Sequence, residues 1–309
     1  MRIGIVTETY APDLNGVSLT VQALARGLMR RGHTIDLIRP IHPDAPDTAE
    51  AGMDVLAVEG AAVPRYAGLR FGLPARLRME RRWRAECPDA IYVATEGPLG
   101  WSAVSAARRL GIPVATGFHT RFDFYVGHYG FGALTSLVRH YLARFHRRAQ
   151  ATLVPTGQLA GELNDLGVHD VRVLRRAVDT RQFHPDHRDS GLRDSWGAGD
   201  DTPVMLSVGR IASEKNLHVV AEAFQALRRR SPGARCVIVG DGPERAALQA
   251  AHPDIIFTGT QRGDRLAAHY ASADLFVFPS LTETFGNVVL EAMASGIPVV
   301  AYAEAAARE

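Results

Sequence analysis

The chain reads as an α/β protein of two domains, each organised on a parallel sheet. Two observations carry that expectation. At 309 residues it exceeds what one comfortable core takes in, so two domains are the natural division. Short apolar runs also alternate with segments of helical period, first over 2–174 and again from 203 onward, with a polar, Pro- and Gly-punctuated stretch between. The expected division is a first domain at 1–175, a crossing at 176–199 and a second domain at 200–309. A hydrophobic fraction of 46% is ordinary for a globular protein, and a net charge of +2 gives no general case for binding nucleic acid. Cys87 and Cys236 fit no metal spacing and read as plain thiols, which suits a reducing compartment. The opening MRIGIVTETY turns polar too soon for a signal peptide, and no apolar stretch reaches the ~20 residues of a membrane span. A cytoplasmic location is therefore expected, peripheral on the inner face of the plasma membrane if the chain meets a membrane at all.

In the first domain, residues 2–7 form an apolar run, 17–31 an amphipathic helix ended by Gly32, and 34–39 the next strand. The loop TETYAPDLNGVS sets Asn15-Gly16 directly before that helix. Gly16 lets backbone approach a ligand and the helix start offers N–H groups to a phosphate; a tight turn is the other reading. Residues 64–86 carry seven arginines among Tyr66, Leu69, Phe71, Leu73, Leu77, Met79 and Trp83. They read either as a solvated helix with an apolar core face or, over 65–84, as an interfacial patch for anionic lipid. Residues 90–94 and 113–118 are further strands. His119 follows the second, at a strand's carboxyl end, where ligands meet the loops of open α/β sheets. A basic helix over 133–148, a strand at 151–155, a helix at 157–166 and a strand at 171–174 complete the domain.

The second domain opens with a strand at 203–208. Gly209 and Arg210 leave it, and Lys215 lies on the same loop, before a helix with the buried stripe Leu217, Val220, Ala223, Phe224 and Leu227. Two cations beside a helix start make a diphosphate clamp. Lys215 is the only lysine in a chain that otherwise uses arginine, which points to a place for a compact ammonium. The strand at 235–239 runs into Gly240-x-Gly242-x-x-Arg245, a near miss of GxGxxG without the third glycine. Further strands are expected at 255–258 and 273–278, separated by a helix at 263–270.

The densest stretch is 279–301, PSLTETFGNVVLEAMASGIPVVA. Thr282 or Thr284 is expected to cap a helix over 287–294, with Gly296 and Pro298 ending it before a strand at 299–302. Phe285, Gly286 and Asn287 form the helix start, where free N–H groups and the dipole suit a diphosphate. Glu283 and Glu291 bracket this unit eight positions apart, ~12 Å along a helix axis. Carboxylates accept sugar hydroxyls well, so the spacing suits a nucleotide-sugar with Glu283 at the transferred sugar and Glu291 at the ribose. A solvated Glu283 and a helix-face Glu291 are the alternative. There is no Asp-x-Asp and the twelve histidines are scattered, so neither metal nor cofactor is expected.

TETFGNVVLEAMASGIPVVA resembles the donor-site signature of retaining glycosyltransferases of family 4, which have the GT-B fold. GRIASEKN is similar to the family's arginine and lysine segment, FHT to its histidine segment, the NGV of the first loop to its NGV or GGV, and residues 176–180, RAVDT, to its RGVDT with Ala177 in place of glycine. The resemblance implies two Rossmann-like domains with an interdomain cleft. It implies that Arg210 and Lys215 bind the donor diphosphate, that Gly16 lies over it, that His119 faces the transferred sugar, and that Gly240, Gly242 and Thr258 border the nucleoside. It also implies transfer with retained anomeric configuration, with Glu283 orienting the donor rather than attacking carbon. The partners would be a nucleotide-diphosphate sugar, best read as GDP-mannose by likeness to α-mannosyltransferase branches, and a lipid, glycolipid or glycan acceptor. Other readings are a UDP-sugar donor, a GT-B nucleotide-sugar epimerase or phosphorylase, and an inactive ligand-binding fragment. The last follows from the chain ending one strand after the signature helix, where family members continue, so that the second domain is expected to be incomplete.

Overall fold

A computed structural model of the chain describes residues 1–13, 15–42, 51–62, 70–119 and 135–309. It divides into two compact units, Met1–Arg175 and Arg176–Glu309.

The first unit is built on a seven-stranded sheet of order β3-β2-β1-β6-β7-β8-β9, with every neighbouring pair parallel. Its strands are β1 (Arg2–Val6), β2 (Thr34–Pro40), β3 (Met53–Val58), β6 (Ala90–Val93), β7 (Val114–Gly117), β8 (Ala151–Val154) and β9 (Val171–Val173). Two short strands, β4 (Gly60–Ala62) and β5 (Arg70–Gly72), pair antiparallel beside it. Strands of a parallel sheet are covered on both faces, which is why they read as near-continuous apolar runs. One face packs the helices Arg76–Ala85 and Pro98–Leu110 through Met79, Trp83, Leu99 and Val104; the other packs Gly16–Met29 through Val21 and Ala25 against Ile35 and Leu37.

The arginine-rich helix turns one face inward. Met79 and Trp83 are buried, and Asp36, wholly buried in β2, accepts from Arg82 Nε at 2.7 Å and Trp83 Nε1 at 3.0 Å. A buried carboxylate is tolerated only when paired in this way, so Asp36 fastens this helix to the sheet. Arg76 and Arg84 both bond Glu80. Leu73, Leu77, Arg78 and Arg81 stay exposed; the part of the lipid-patch expectation on 65–69 lies outside the described residues.

The second unit carries a five-stranded sheet, order β12-β11-β10-β13-β14, again parallel throughout. The strands are β10 (Val204–Val208), β11 (Arg235–Val239), β12 (Ile256–Gly259), β13 (Leu275–Phe278) and β14 (Val299–Ala301). Residues 176–199 fold with this unit: Phe183, Trp196 and Ala198 sit in its core beside Tyr270 and Phe276. Arg193 of the short helix Ser190–Ser195 is 1% exposed and donates to the carbonyls of Ser272, Gly199 and Thr202 at 2.7 Å each, and to Asp274 Oδ2 at 3.0 Å. No described helix is long and apolar enough to cross a membrane.

Candidate active site

In the second sheet the chain passes from β10 to β11 on one side, while β13 lies on the other. The loops leaving the carboxyl ends of β10 and β13 therefore part, and the crevice outside them is where ligands bind in open α/β sheets. The loop after β10 winds through a 3-10 turn, Ser213–Lys215, and a left-handed Asn216 (φ 56°) into the helix Leu217–Arg230. That path brings Lys215 Nζ onto Glu283 Oε1 from the loop after β13. The same ammonium lies 5.7 Å from the centre of the Phe278 ring. Ser280 Oγ donates to Glu283 Oε1 at 2.8 Å, and Leu281 N donates to the Glu214 carbonyl at 3.4 Å, tying the two loops together. Arg210 is exposed at the mouth, 3.8 Å from the Glu214 carboxylate.

The helix Asn287–Ala294 starts on Gly286, at φ 86° and ψ 66°, with no side-chain cap. Neither Thr282 nor Thr284 takes the capping role expected of it. The left-handed glycine turns the chain into the helix directly, and Thr282 Oγ1 is left buried with no hydrogen-bond partner. A Cβ at residue 286 would also crowd the Phe278 ring at 3.3 Å. A helix start that no side chain caps is open to an anion. Phe285 is buried under it, with the Arg176 guanidinium 5.8 Å from the ring centre.

Glu291 lies further along the same helix and accepts from Tyr270 Oη at 2.8 Å. Burial raises the Glu291 carboxyl above its usual range and the Tyr270 hydroxyl well above its own. The glycines after β11 serve backbone packing. A Cβ on Gly240 would meet the Gly209 carbonyl at 1.9 Å and one on Gly242 the Ile211 carbonyl at 2.2 Å. Hydrogen bonds Gly209 N to Val239 O (3.0 Å) and Ile211 N to Asp241 O (2.9 Å) zip this loop to the one bearing Arg210. Thr258 lies on β12, its Oγ1 buried without a partner and its carbonyl accepting from Gln261 Nε2 at 2.7 Å. Lys215, Glu283, Phe285, Gly286 and Asn287 are thus gathered at one crevice with Arg210 at its mouth, and Gly240 and Gly242 brace its β10 side. Ser280, Tyr270 and Arg176 join the set although sequence reasoning gave them no role.

The first unit has its own reversal, at β1 and β6, with β2 on one side of β1 and β7 beyond β6. His119, just past β7, shares a 2.6 Å hydrogen bond between its Nε2 and the Tyr92 hydroxyl. At Gly16 the structure qualifies the anion-site expectation. Asn15 Oδ1 accepts from Val17 N at 3.1 Å and Ser18 N at 2.9 Å, so two N–H groups of that helix start are already taken. Asn15 is held in turn by donating to Thr9 Oγ1 at 2.7 Å. Glu8, two residues past β1, had no part in the sequence reading. Its Oε1 accepts from Leu99 N at 3.0 Å at the start of the helix Pro98–Leu110. A Cβ at Gly97 would strike both carboxylate oxygens, at 2.1 and 2.2 Å.

Two parallel-sheet units of this kind are the architecture of the GT-B glycosyltransferases. The structure superposes on sucrose-phosphate synthase from Thermosynechococcus elongatus with a TM-score of 0.77 at 18% identity, covering 97% of this chain and 80% of that one. It superposes on WaaG, a glycosyltransferase of lipopolysaccharide biosynthesis, with a TM-score of 0.67 at 18% identity, covering 97% and 80%. In sequence, residues 14–182 match the family model "Glycosyltransferase Family 4" and 202–309 the model "Glycosyl transferases group 1". The chain is 37% identical over 304 residues to a GDP-mannose-dependent alpha-mannosyltransferase of Mycobacterium tuberculosis, covering 97% of this chain and 79% of the relative. It is 28% identical to the alpha-monoglucosyldiacylglycerol synthase of Streptococcus pneumoniae, covering 98% and 71%. The chain belongs to glycosyltransferase family 4.

Proposed function

We propose that this glycosyltransferase moves mannose from GDP-mannose to a hydroxyl of a lipid or glycolipid, with retention and without a metal. The observation that carries the reading is the Lys215–Glu283–Ser280 cluster at the β10/β13 reversal, beside the uncapped start of Asn287–Ala294. Lys215 and Glu283 are direct ion-pair partners. An arriving diphosphate draws Lys215, with Arg210 and the helix start, to its oxygens, and Glu283 turns to the hydroxyls of the transferred sugar. Charge developing on the departing diphosphate is then met by fixed positive groups, which is electrostatic preorganisation. The leaving phosphate takes the acceptor proton on the same face. Glu291, braced by Tyr270, accepts from the ribose, with Gly240, Gly242 and Thr258 bordering the nucleoside. Mannose as the sugar rests on the similarity to GDP-mannose-dependent mannosyltransferases, and a lipid acceptor on the similarity to glucosyldiacylglycerol synthases.

The test is transfer from GDP-mannose, UDP-glucose and UDP-galactose to dioleoylglycerol and its monoglucosyl derivative in mixed micelles, with the product anomer read by NMR. Acceptor-dependent consumption of GDP-mannose with an α-linked product is expected. Preference for a UDP-sugar overturns the donor assignment, and an inverted anomer or a trapped glycosyl–Glu283 adduct overturns the mechanism. Epimerised donor without acceptor would move the protein to another GT-B activity.

The enzyme would work from the cytoplasm at the inner face of the plasma membrane. The support is the exposed set Leu73, Leu77, Arg78 and Arg81 within 65–84. Sedimentation with vesicles is expected to rise with phosphatidylglycerol content and to fall with added salt. Equal binding to neutral vesicles would remove the anionic-surface reading.

A further inference from the structure

We propose that the first unit carries a second ligand site: a cationic pocket in which Arg76, Arg108, Arg109 and Arg148 hold a phosphate group beside the ring of Trp101. The site stands independently of the transferase reading. The helix Pro98–Leu110 buries Leu99, Ala103, Val104 and Ala107 in the core, which leaves Trp101, Ser105, Arg108 and Arg109 on its outer face at helical spacing. Arg76 reaches this face from the start of the helix Arg76–Ala85, and Arg148 from the segment after Thr135–His146. Together they line a pocket of about 660 Å³, within the ~300–1,000 Å³ usual for small-ligand sites. A helix that follows a parallel strand runs back along it, so Arg108 and Arg109, in its last turns, lie toward the amino ends of the strands. Arg148, just before β8, lies at that same end, opposite the strand ends that carry Glu8 and His119.

Positive charge in this pocket is left uncompensated. Glu80 meets Arg76 at 2.8 Å and Arg109 at 3.4 Å, and it also bonds Arg84 at 3.2 Å. Among the described residues no carboxylate pairs with Arg108 or Arg148. The two are nonetheless held together. Arg108 Nη1 donates to the Arg148 carbonyl at 3.0 Å, and the Arg148 guanidinium lies 5.4 Å from the centre of the Trp101 ring, which stacks on Tyr141. Burial, with Arg108 and Arg144 nearby, lowers the Arg148 pKa from its usual value, and Arg148 Nε is buried without a hydrogen-bond partner. Like charges gathered at a pocket repel one another until an anion neutralises them. A guanidinium fork matches phosphate oxygens two at a time and lies flat on an aromatic ring, so a phosphate fits both the charge and the geometry. A neutral sugar or polyol would leave the charge unanswered. The same phosphate chemistry is presented by a soluble phosphorylated metabolite and by a phospholipid headgroup.

Trp101 supplies the readout. The other two tryptophans, Trp83 and Trp196, are only 1% and 4% exposed, so an emission change caused at the pocket belongs to Trp101. The full chain is titrated with pyrophosphate, with phosphatidylcholine vesicles containing phosphatidate, and with plain phosphatidylcholine vesicles, all at an ionic strength matched with sodium chloride. A saturable emission change with pyrophosphate or with phosphatidate vesicles is expected, and its loss in Trp101→Phe. Saturation by pyrophosphate assigns a soluble phosphate, and a response confined to phosphatidate vesicles assigns the headgroup. In Arg148→Gln and in Arg108→Gln the midpoint should rise about tenfold, as for one lost hydrogen bond between charged groups. Arg108 is exposed, so its replacement leaves the core intact. The response should persist in Lys215→Ala, which separates this pocket from the crevice of the second unit. Its loss in Lys215→Ala, an equal response to sodium chloride or plain vesicles, an unchanged midpoint in both arginine variants, or no saturation with either phosphate probe overturns the site.

Discussion

Lys215→Ala is expected to lower kcat/KM for transfer by on the order of 10²–10³, the loss typical of removing one preorganised group that stabilises developing negative charge. The effect should be that large because, among the described residues, Lys215 is the cation paired with Glu283. Arg210 is exposed at the mouth and turned toward Glu214, whereas Lys215 lies at the junction of the two loops, over Phe278. Lys215→Arg should recover only part of the activity, since a planar fork does not occupy the place of a compact ammonium between Glu283 and an aromatic ring. Glu283→Gln should be similarly impaired. Because the two side chains are direct partners, the double variant should be little worse than either single one. Steady-state kinetics on the four proteins checks this. If Lys215→Ala keeps more than about a tenth of wild-type kcat/KM, the ammonium is not a group that stabilises the transition state.

Arg193→Met is expected to produce the largest loss of stability. The guanidinium replaces water for four carbonyls, those of Ser272, Gly199, Asp200 and Thr202, and one carboxylate in the second unit, and Asp274, which also accepts from Arg188 at 3.0 Å, loses one of its cations. Removing one member of such a buried charged network typically costs roughly 3–5 kcal/mol, because the remaining groups stay buried without partners. For a protein of this size the melting temperature should fall by on the order of 10 °C. Calorimetry or circular dichroism reads it; a fall within a degree or two would mean that water enters and satisfies those carbonyls.

The β–α units of both sheets were legible because parallel strands covered on two faces leave long apolar runs, as in β10 and β11. The motif loops were legible because their chemistry is concentrated in a few residues, among them Lys215, Glu283 and Gly286. β3, β4 and β5 were not expected, and the last two, of three residues each, are too short to establish a period. Arg193 was hidden for a different reason. Its segment is polar and punctuated, and the residues that anchor it, Phe183 and Trp196, stand too far apart to form a stripe. The cap of Asn287–Ala294 depends on backbone conformation, so Thr282 and Thr284 drew attention that belonged to Gly286. Glu8 had a trace in the sequence. Gly97 before Pro98 marks a helix start without a side-chain cap of its own, which a distant residue had to supply.

Asp36 sets a limit on how the arginine-rich helix meets a bilayer. If Arg76–Ala85 peeled away to embed its apolar side in lipid, Asp36 would remain in the core without Arg82 or Trp83, at a cost of roughly 3–5 kcal/mol for an abandoned buried charge. If the protein docks on a bilayer, headgroups would therefore meet this helix only as the folded unit presents it, with Met79 and Trp83 withheld and Leu77, Arg78 and Arg81 facing out. Such a footing would rest on the surface, and rising ionic strength would release it.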